Sequence, residues 1–402
     1  MKTVIKWMGL FLLIVAMTSC VDKMQDDVLK KVLGNLEKIE SASYTSIIEV
    51  WQHGDTVALS TYCRLVDEYN NPADTTIGAS FVLFDCDDPD TISLGYDGKV
   101  KVITYKEHRG ILIDDFTTRS LPFRLVTPPF FNHAKNIIQY ALTTGDSIQT
   151  ELKELDDHFY FKLTIIEDEQ IEFFGKAFHV ENPYSWDTTS IYEMWISKSD
   201  DLPYKIRREM SHEITVETRM DTELNKLSIN DFDLYSYFPA DYEVRKYGDR
   251  SKESDKPTAT DLMGKKAPYF KLNDMNEQPV SLDDYKSKVL LVNFTGIGCG
   301  PCQVSIPFLK KIKSEYSPED FDIVSIETWR RKAHSLQTYT NEYGLNYKLL
   351  NATDEVIKDY RTGGVAPVFF ILDKDRVVRK AISGYTPGKV DEEIEQVIKE
   401  FL

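Results

Sequence analysis

The sequence predicts two successive units of different class: an antiparallel β-rich unit with helices, followed by an α/β unit. Three observations carry this expectation. Short segments rich in β-branched and aromatic residues fill most of the first 230 or so positions. A polar stretch from Tyr247 to Lys266 interrupts them. Beyond it, apolar runs alternate with helix-period segments, which implies right-handed βαβ units and a sheet covered on both faces. A chain of 402 residues is long enough for two or three such cores.

Residues 1–20 read as a targeting segment, outside the fold. Lys2 and Lys6 precede an apolar stretch, Trp7 to Ala16, too short to span a bilayer as a mature helix. It ends at Met17-Thr18-Ser19-Cys20, which resembles a bacterial lipoprotein signal with Cys20 as the lipidated N-terminus. The family pattern usually has Leu where Met17 stands. The alternative is an ordinary cleaved signal with an incidental cysteine. Val21, rather than Asp, after the cysteine resembles lipoproteins sorted to an outer membrane. The resemblance implies an exported, lipid-anchored protein on the periplasmic side of the envelope of a Gram-negative bacterium.

From Asp26 to Ser41, Val28, Leu29, Val32, Leu33, Leu36 and Ile39 recur at helical spacing and predict an amphipathic helix. Strands follow over residues 43–51, 59–66, 79–84, 100–105 and 111–116, separated by turn signals such as Asn70-Asn71-Pro72 and Asp97-Gly98. A break at Thr127-Pro128-Pro129 precedes a helix over 132–142. Strands resume over 158–166, 171–180, 190–197, 204–211, 213–222 and 225–229. Many consecutive strands predict an antiparallel meander curved into a sandwich or partial barrel. Cys63 and Cys86 lie symmetrically about a loop near Asp74, so a hairpin would place them within disulfide reach; two independent buried thiols are the alternative.

The unit boundaries are expected at 1–20 for the signal, 21–246 for the β-rich unit, 247–260 for the linker and 261–402 for the α/β unit. In the last of these, Val289 to Phe294 suits a strand buried on both faces. Helices are expected over 303–315, 333–343, 353–360 and 390–401, and strands over 321–326, 347–350, 368–372 and 377–382.

The chemistry centres on Cys299-Gly300-Pro301-Cys302, just after the buried strand and at the start of a helix. Unpaired N–H groups and the helix dipole favour an anion there, so the Cys299 thiolate is stabilised. Pro301 is tolerated in the first turn. Two intervening residues let Cys302 reach the Cys299 sulfur and displace a bound substrate, which makes Cys299 the attacking thiol and Cys302 the resolving one. A zinc site would need two further ligands; no other Cys lies nearby, and His334 stands alone in this unit. Haem attachment would need His where Gln303 stands.

Pro367, in Gly363-Gly364-Val365-Ala366-Pro367-Val368-Phe369, is anomalous inside what reads as a central strand. Together with the cysteine motif, Gly264-Lys265-Lys266-Ala267-Pro268, Val280-Ser281-Leu282 and Lys288-Val289-Leu290-Leu291-Val292-Asn293-Phe294, it makes residues 261–402 resemble the thioredoxin-like TlpA/ResA group of thiol–disulfide oxidoreductases. That resemblance implies a thioredoxin fold, a cis Pro367 facing the cysteines, and substrate contacts from Gly298, Gly300, Pro301 and the Ala366 backbone. It also implies protein thiol or disulfide substrates, an external redox donor, and no cofactor beyond the redox-active Cys299–Cys302 disulfide. A trans Pro on an edge strand is the alternative. Gly298 stands where the family usually has Trp, Asn293 where thioredoxin has a buried Asp, and Ser305 where some members carry a buried Glu. Glu327 is a substitute candidate for the proton acceptor of Cys302.

The β-rich unit is similar to the LolA-like lipoprotein-carrier superfamily. The similarity rests on Asp97-Gly98 before an aromatic strand and on Tyr192-Glu193-Met194-Trp195-Ile196-Ser197-Lys198 before Leu202-Pro203-Tyr204-Lys205. It implies a half-barrel plugged by a helix and able to hold a lipid; a β-rich unit with no ligand is the alternative.

Sixty-five acidic against 48 basic residues give a net charge of -17. That excludes nucleic acid as a partner, since phosphate neutralisation needs clustered Lys and Arg. The function expected is dithiol–disulfide exchange on proteins, in the reducing direction because Gly-Pro separates the cysteines as in thioredoxin. The competing expectation is a lipid- or partner-binding lipoprotein whose redox pair is a sensor or accessory.

Overall fold

A computed structural model of the chain describes residues 24–118, 126–180, 187–249 and 258–402. The expected signal segment with Cys20, and most of the expected linker, lie outside the described residues.

A helix over 24–36 (α1) opens the described chain. Strands β1 (Ser41–Trp51), β2 (Ser60–Asn70), β3 (Ala79–Asp85), β4 (Asp88–Tyr96), β5 (Lys101–Tyr105) and β6 (Gly110–Asp114) follow as an antiparallel meander. After helix α2 (Phe130–Thr143) come β7 (Ile148–Glu154), β8 (His158–Ile165), the small hairpin β9 (Gln170–Phe173) and β10 (Ala177–Val180), then β11 (Ser190–Ser197), β12 (Pro203–Met210), β13 (Glu213–Leu224) and β14 (Glu243–Lys246). All but β9 and β10 join one 12-stranded sheet in the order β14-β6-β5-β4-β3-β2-β1-β13-β12-β11-β8-β7. β1 closes the two halves by pairing with both β2 and β13.

Helical spacing in α1 puts Leu29, Val32 and Leu36 on one face, and α2 adds Phe130, Phe131, Ala134, Ile137 and Ile138. Both helices bury these residues against Phe161, Leu163, Tyr192, Met194 and Ile206 of the sheet, which removes the apolar stripe from water. The β3–β6 half is covered on both faces. Val82, Ile92 and Val102 pack with Leu234, while Phe81 and Tyr96 pack with Ile77 and Val126.

Some elements differ from expectation. β4 and β7 lie where the sequence pattern suggests no strand, the 171–180 segment is a hairpin rather than one strand, and 225–229 holds no strand. β1 starts at Ser41 because α1 already ends at residue 36.

Cys63 and Cys86 are joined, with Cα atoms 5.4 Å apart, at the open end of the β2–β3 hairpin. Arg64 pairs with Asp85 immediately beside them, and the Cys86 N–H donates to the Cys63 carbonyl at 3.2 Å. Non-reducing peptide mapping of protein from an oxidising compartment is expected to recover Cys63 and Cys86 as one linked pair; free alkylation of both without reductant would refute the link.

The C-terminal region begins with the short hairpin β15 (Lys271–Asn273) and β16 (Pro279–Ser281). It continues with β17 (Val289–Thr295), α3 (Gly300–Glu315), β18 (Phe321–Glu327), α4 (Ala333–Tyr343), β19 (Lys348–Asn351), α5 (Asp354–Asp359), β20 (Val368–Leu372), β21 (Val378–Ser383) and α6 (Lys389–Phe401). The sheet order is β19-β18-β17-β20-β21, with β17–β19 parallel and β20 and β21 antiparallel. Every residue of β17 is buried, as a strand covered on both faces requires. One face packs Phe294, Val324, Tyr360 and Phe370. The other packs Leu291, Leu309, Phe369 and Ile394 from the strands and from α3 and α6.

Candidate active site

β17 delivers the chain at the centre of the sheet, and α3 starts there. Cys299 is the N-cap of α3; its backbone is extended, and its Sγ accepts a hydrogen bond from the Cys302 N–H at 3.2 Å. A sulfur in that place meets the N–H groups of the first helical turn, which have no partner within the helix. Gly300 and Pro301 form that turn, so α3 begins three residues earlier than its apolar pattern suggests. Cys299 and Cys302 are joined, with Cα atoms 5.2 Å apart; Cys299 is 8% exposed and Cys302 fully buried. Both are buried, and the small remaining exposure belongs to Cys299.

The Ala366–Pro367 peptide is cis, and Pro367 leads directly into β20, an interior strand. Cys299 Sγ lies 3.8 Å from the Ala366 carbonyl oxygen. The Pro367 carbonyl accepts from the Gly384 N–H at 2.8 Å, which ties this loop to β21. The structure thus brings together Gly298, Cys299, Gly300, Pro301, Cys302, Ala366 and Pro367. Cys63 and Cys86 are a separate pair in the N-terminal sheet.

The surroundings of Cys302 are poor in charge. Ser305 is buried and donates to the Cys302 carbonyl at 2.7 Å. Asn293 is buried, donates to Ser325 Oγ at 3.0 Å, and leaves its Oδ1 without a partner among the described residues. Glu327 ends β18 fully buried, where it accepts from the Ile297 N–H at 3.3 Å and the Arg331 N–H at 2.9 Å. Burial pushes its carboxyl above the usual range, against the pull of those hydrogen bonds. Glu327 therefore holds the loop that leads into Cys299. Among the described residues, no group of three or more His, Cys, Asp or Glu side chains is placed to hold a metal.

Sequence reasoning missed Trp329. Its indole N–H donates to the Gly364 carbonyl at 3.1 Å, and its ring lies so close to Gly296 that a Cβ there would sit 2.5 Å from it. Gly298 has φ +88°, and a Cβ built on it meets open space. Backbone conformation, not crowding, accounts for glycine there. The N-terminal sheet also reaches this region. Gln303, next to Cys302, donates to the His212 carbonyl at 3.3 Å; Gln52 donates to the Ser335 carbonyl at 2.9 Å; Arg331 donates to the Leu59 carbonyl at 3.3 Å. Leu59 packs with Ile297, Ile306, Leu336 and Tyr339.

A sheet in this order, opening at its centre into a helix capped by the first of two cysteines, is a thioredoxin-like arrangement, and the chain is a thiol–disulfide oxidoreductase of that class. Residues 262–398 match the Redoxin family model. The chain is 27% identical over 131 residues to the thiol-disulfide oxidoreductase ResA of Bacillus thuringiensis (strain Al Hakam), a match covering 32% of this chain and 75% of that protein. It is 28% identical over 123 residues to ResA of Geobacillus thermodenitrificans (strain NG80-2), covering 30% of this chain and 70% of that protein. A solved thiol:disulfide interchange protein of the thioredoxin family from Chlorobium tepidum TLS aligns at 23% identity and TM-score 0.29, covering 34% of this chain and 94% of that one.

Proposed function

We propose that the protein reduces disulfides in protein substrates outside the cytoplasm, with Cys299 as attacking thiol and Cys302 as resolving thiol. The observation that carries this reading is the asymmetry of the pair: Cys299 caps α3 beside the Ala366 carbonyl and keeps 8% exposure, while Cys302 has none. The Cys299 thiolate attacks one sulfur of the substrate disulfide, and the other substrate sulfur leaves as a thiolate that takes up a proton. Cys302 loses its proton and attacks Cys299 Sγ, which releases the second substrate thiol and leaves the Cys299–Cys302 disulfide. Two electrons pass to the substrate, so an external donor must re-reduce the pair. Glu327 is the candidate to receive the Cys302 proton, through its place under the 296–298 loop. Anchoring through lipidated Cys20, in an outer membrane, supplies the compartment; its support is the Thr18-Ser19-Cys20 ending of the apolar segment.

The test is trapping in the exported full-length protein. Cys302→Ser is expected to accumulate covalent complexes with substrates that dissolve in reductant, whereas Cys299→Ser accumulates none. Equal trapping by both variants would overturn the roles.

A cavity of about 280 Å³ in the N-terminal sheet favours a second reading, in which that unit carries a ligand; it is lined by Ile48, Val66, Phe81 and Leu83 together with Arg64 and Glu217. Mass spectrometry of lipids co-purifying with the protein tests it, and protein that carries no lipid in this unit would refute it.

A further inference from the structure

The glycine at 298 leaves the first cysteine without a large neighbour in sequence, but not in space. Trp329 comes from the turn after β18, 31 residues beyond Gly298, and stands over Gly296 with the residue 38% exposed. Two contacts fix it. Its N–H is tied to the Gly364 carbonyl of the loop that runs into Pro367, and the Arg331 guanidinium lies 5.6 Å from the ring centroid. The same indole therefore links the two loops that bracket Cys299.

Trp329 also forms one wall of a cleft of about 680 Å³ that runs past Gly298. The opposite wall belongs to the N-terminal sheet: Val50 of β1, Ser60 and Tyr62 of β2, and Glu213 of β13. Tyr62 is 46% exposed. Two partly exposed aromatics, Tyr62 on a strand and Trp329 on a loop, thus line one cleft that reaches Gly298, next to Cys299. Aromatic rings give large contact area at low entropic cost and are enriched where proteins bind one another.

We propose that Trp329 and Tyr62 form a two-sided aromatic seat for the residues that flank a substrate cysteine. The substrate segment is an extended stretch of protein chain, because the cleft runs along Gly363 and Gly364 of the loop before Pro367 and reaches Gly298, the residue next to Cys299. The N-terminal sheet thereby selects substrates for the α/β region, and a small disulfide passes without using the seat. This rests on Cys299 being the attacking thiol.

The test uses full-length protein in the Cys302→Ser background, which stops the reaction after one exchange. The probe is a ten-residue peptide with one cysteine between apolar residues, activated as its disulfide with 2-thiopyridine; attack by Cys299 forms the peptide–Cys299 disulfide and releases the pyridine thione. The thiopyridyl disulfide of mercaptoethanol is the small control. Trp329→Ala is expected to raise the half-saturating peptide concentration about tenfold, and Tyr62→Ala about fivefold, in each case far more than it changes the rate with the small control. Trp329→Phe, which keeps a ring without the N–H, is expected to stay within about threefold of the parent. An inert Cys299 toward the small disulfide would overturn the attacking role and this inference together. A reactive Cys299 with half-saturation unmoved by Tyr62→Ala and Trp329→Ala would overturn the seat alone. Equal loss in Trp329→Phe and Trp329→Ala would assign the effect to the Gly364 hydrogen bond and overturn stacking.

Discussion

Equilibrated against glutathione, the Cys299–Cys302 pair is expected to titrate near the thioredoxin potential of about -270 mV, well below the roughly -180 mV of protein disulfide isomerase. A gap of about 90 mV is a factor of about a thousand in the exchange equilibrium, so the measurement decides the direction of electron flow. The potential depends on how strongly the Cys299 thiolate is stabilised, because an oxidant owes its potential to a stabilised reduced form. Here the sulfur receives one N–H, from Cys302, together with the dipole of a 16-residue helix. Gly300 and Pro301 between the cysteines add no positive charge. The Arg331 guanidinium, on the loop after β18, is committed to the Leu59 carbonyl and to the Trp329 ring. Glu327 under the 296–298 loop, when ionised, opposes a second negative charge nearby. Glu327→Gln removes that opposition and is expected to raise the potential. A wild-type value above about -180 mV would make the protein an oxidase or isomerase.

Much of the site was legible because its requirements are local. Two cysteines separated by Gly-Pro after an unbroken apolar run state a buried strand, a helix start and a capped sulfur in one stretch of sequence, and Pro367 betrays itself by standing where a strand should continue. What could not be read depends on approach in space. Trp329 acquires its place from contact with Gly296 and Gly364, 33 and 35 residues away, and neither glycine advertises an aromatic neighbour. The meeting of His212 with Gln303 and of Leu59 with Ile297 joins segments 91 and more than 200 residues apart, which no periodicity encodes. The missed strands have a different cause. β7 is an edge strand with mostly exposed, charged residues, the composition that protects an edge from pairing with other chains. β4 starts Asp88-Pro89-Asp90, which reads as a turn until the β3 partner is known.

The N-terminal unit is expected to lose stability as pH rises from about 4.5 to about 7, through Glu68. Helix α2 begins after Pro129, whose side chain cannot cap it, so β1 and β2 supply the caps from below. Tyr44 Oη accepts from the Phe130 N–H at 3.0 Å, and Glu68 accepts from the N–H groups of Phe131 at 3.1 Å and Asn132 at 2.7 Å and from the Tyr44 hydroxyl at 3.0 Å. These bonds favour the carboxylate, but Glu68 is only 4% exposed, and desolvation pushes its pKa up to about 7 from the usual 4.5, with Glu217 adding to the push. Below pH 4.5 the group is protonated whether the chain is folded or not. Between 4.5 and 7 the folded protein keeps a proton that the unfolded chain releases, so stability falls with rising pH, and the loss is complete above 7. The gap corresponds to about 3 kcal/mol, an order-of-magnitude figure. His133, whose pKa burial pushes down to about 4, works in the opposite direction between 4 and 6.5. The comparison is therefore made against Glu68→Gln at each pH, where every other titrating group cancels. The amide keeps one acceptor for the α2 N–H groups and cannot ionise. Urea unfolding at pH 5 is expected to find Glu68→Gln less stable than the parent by about 1 kcal/mol, the typical worth of one hydrogen bond. At pH 8 the order reverses, because only the parent then carries a buried negative charge; a stability difference that is the same at both pH values would show that Glu68 ionises at its ordinary pKa and that α2 is capped by a carboxylate throughout.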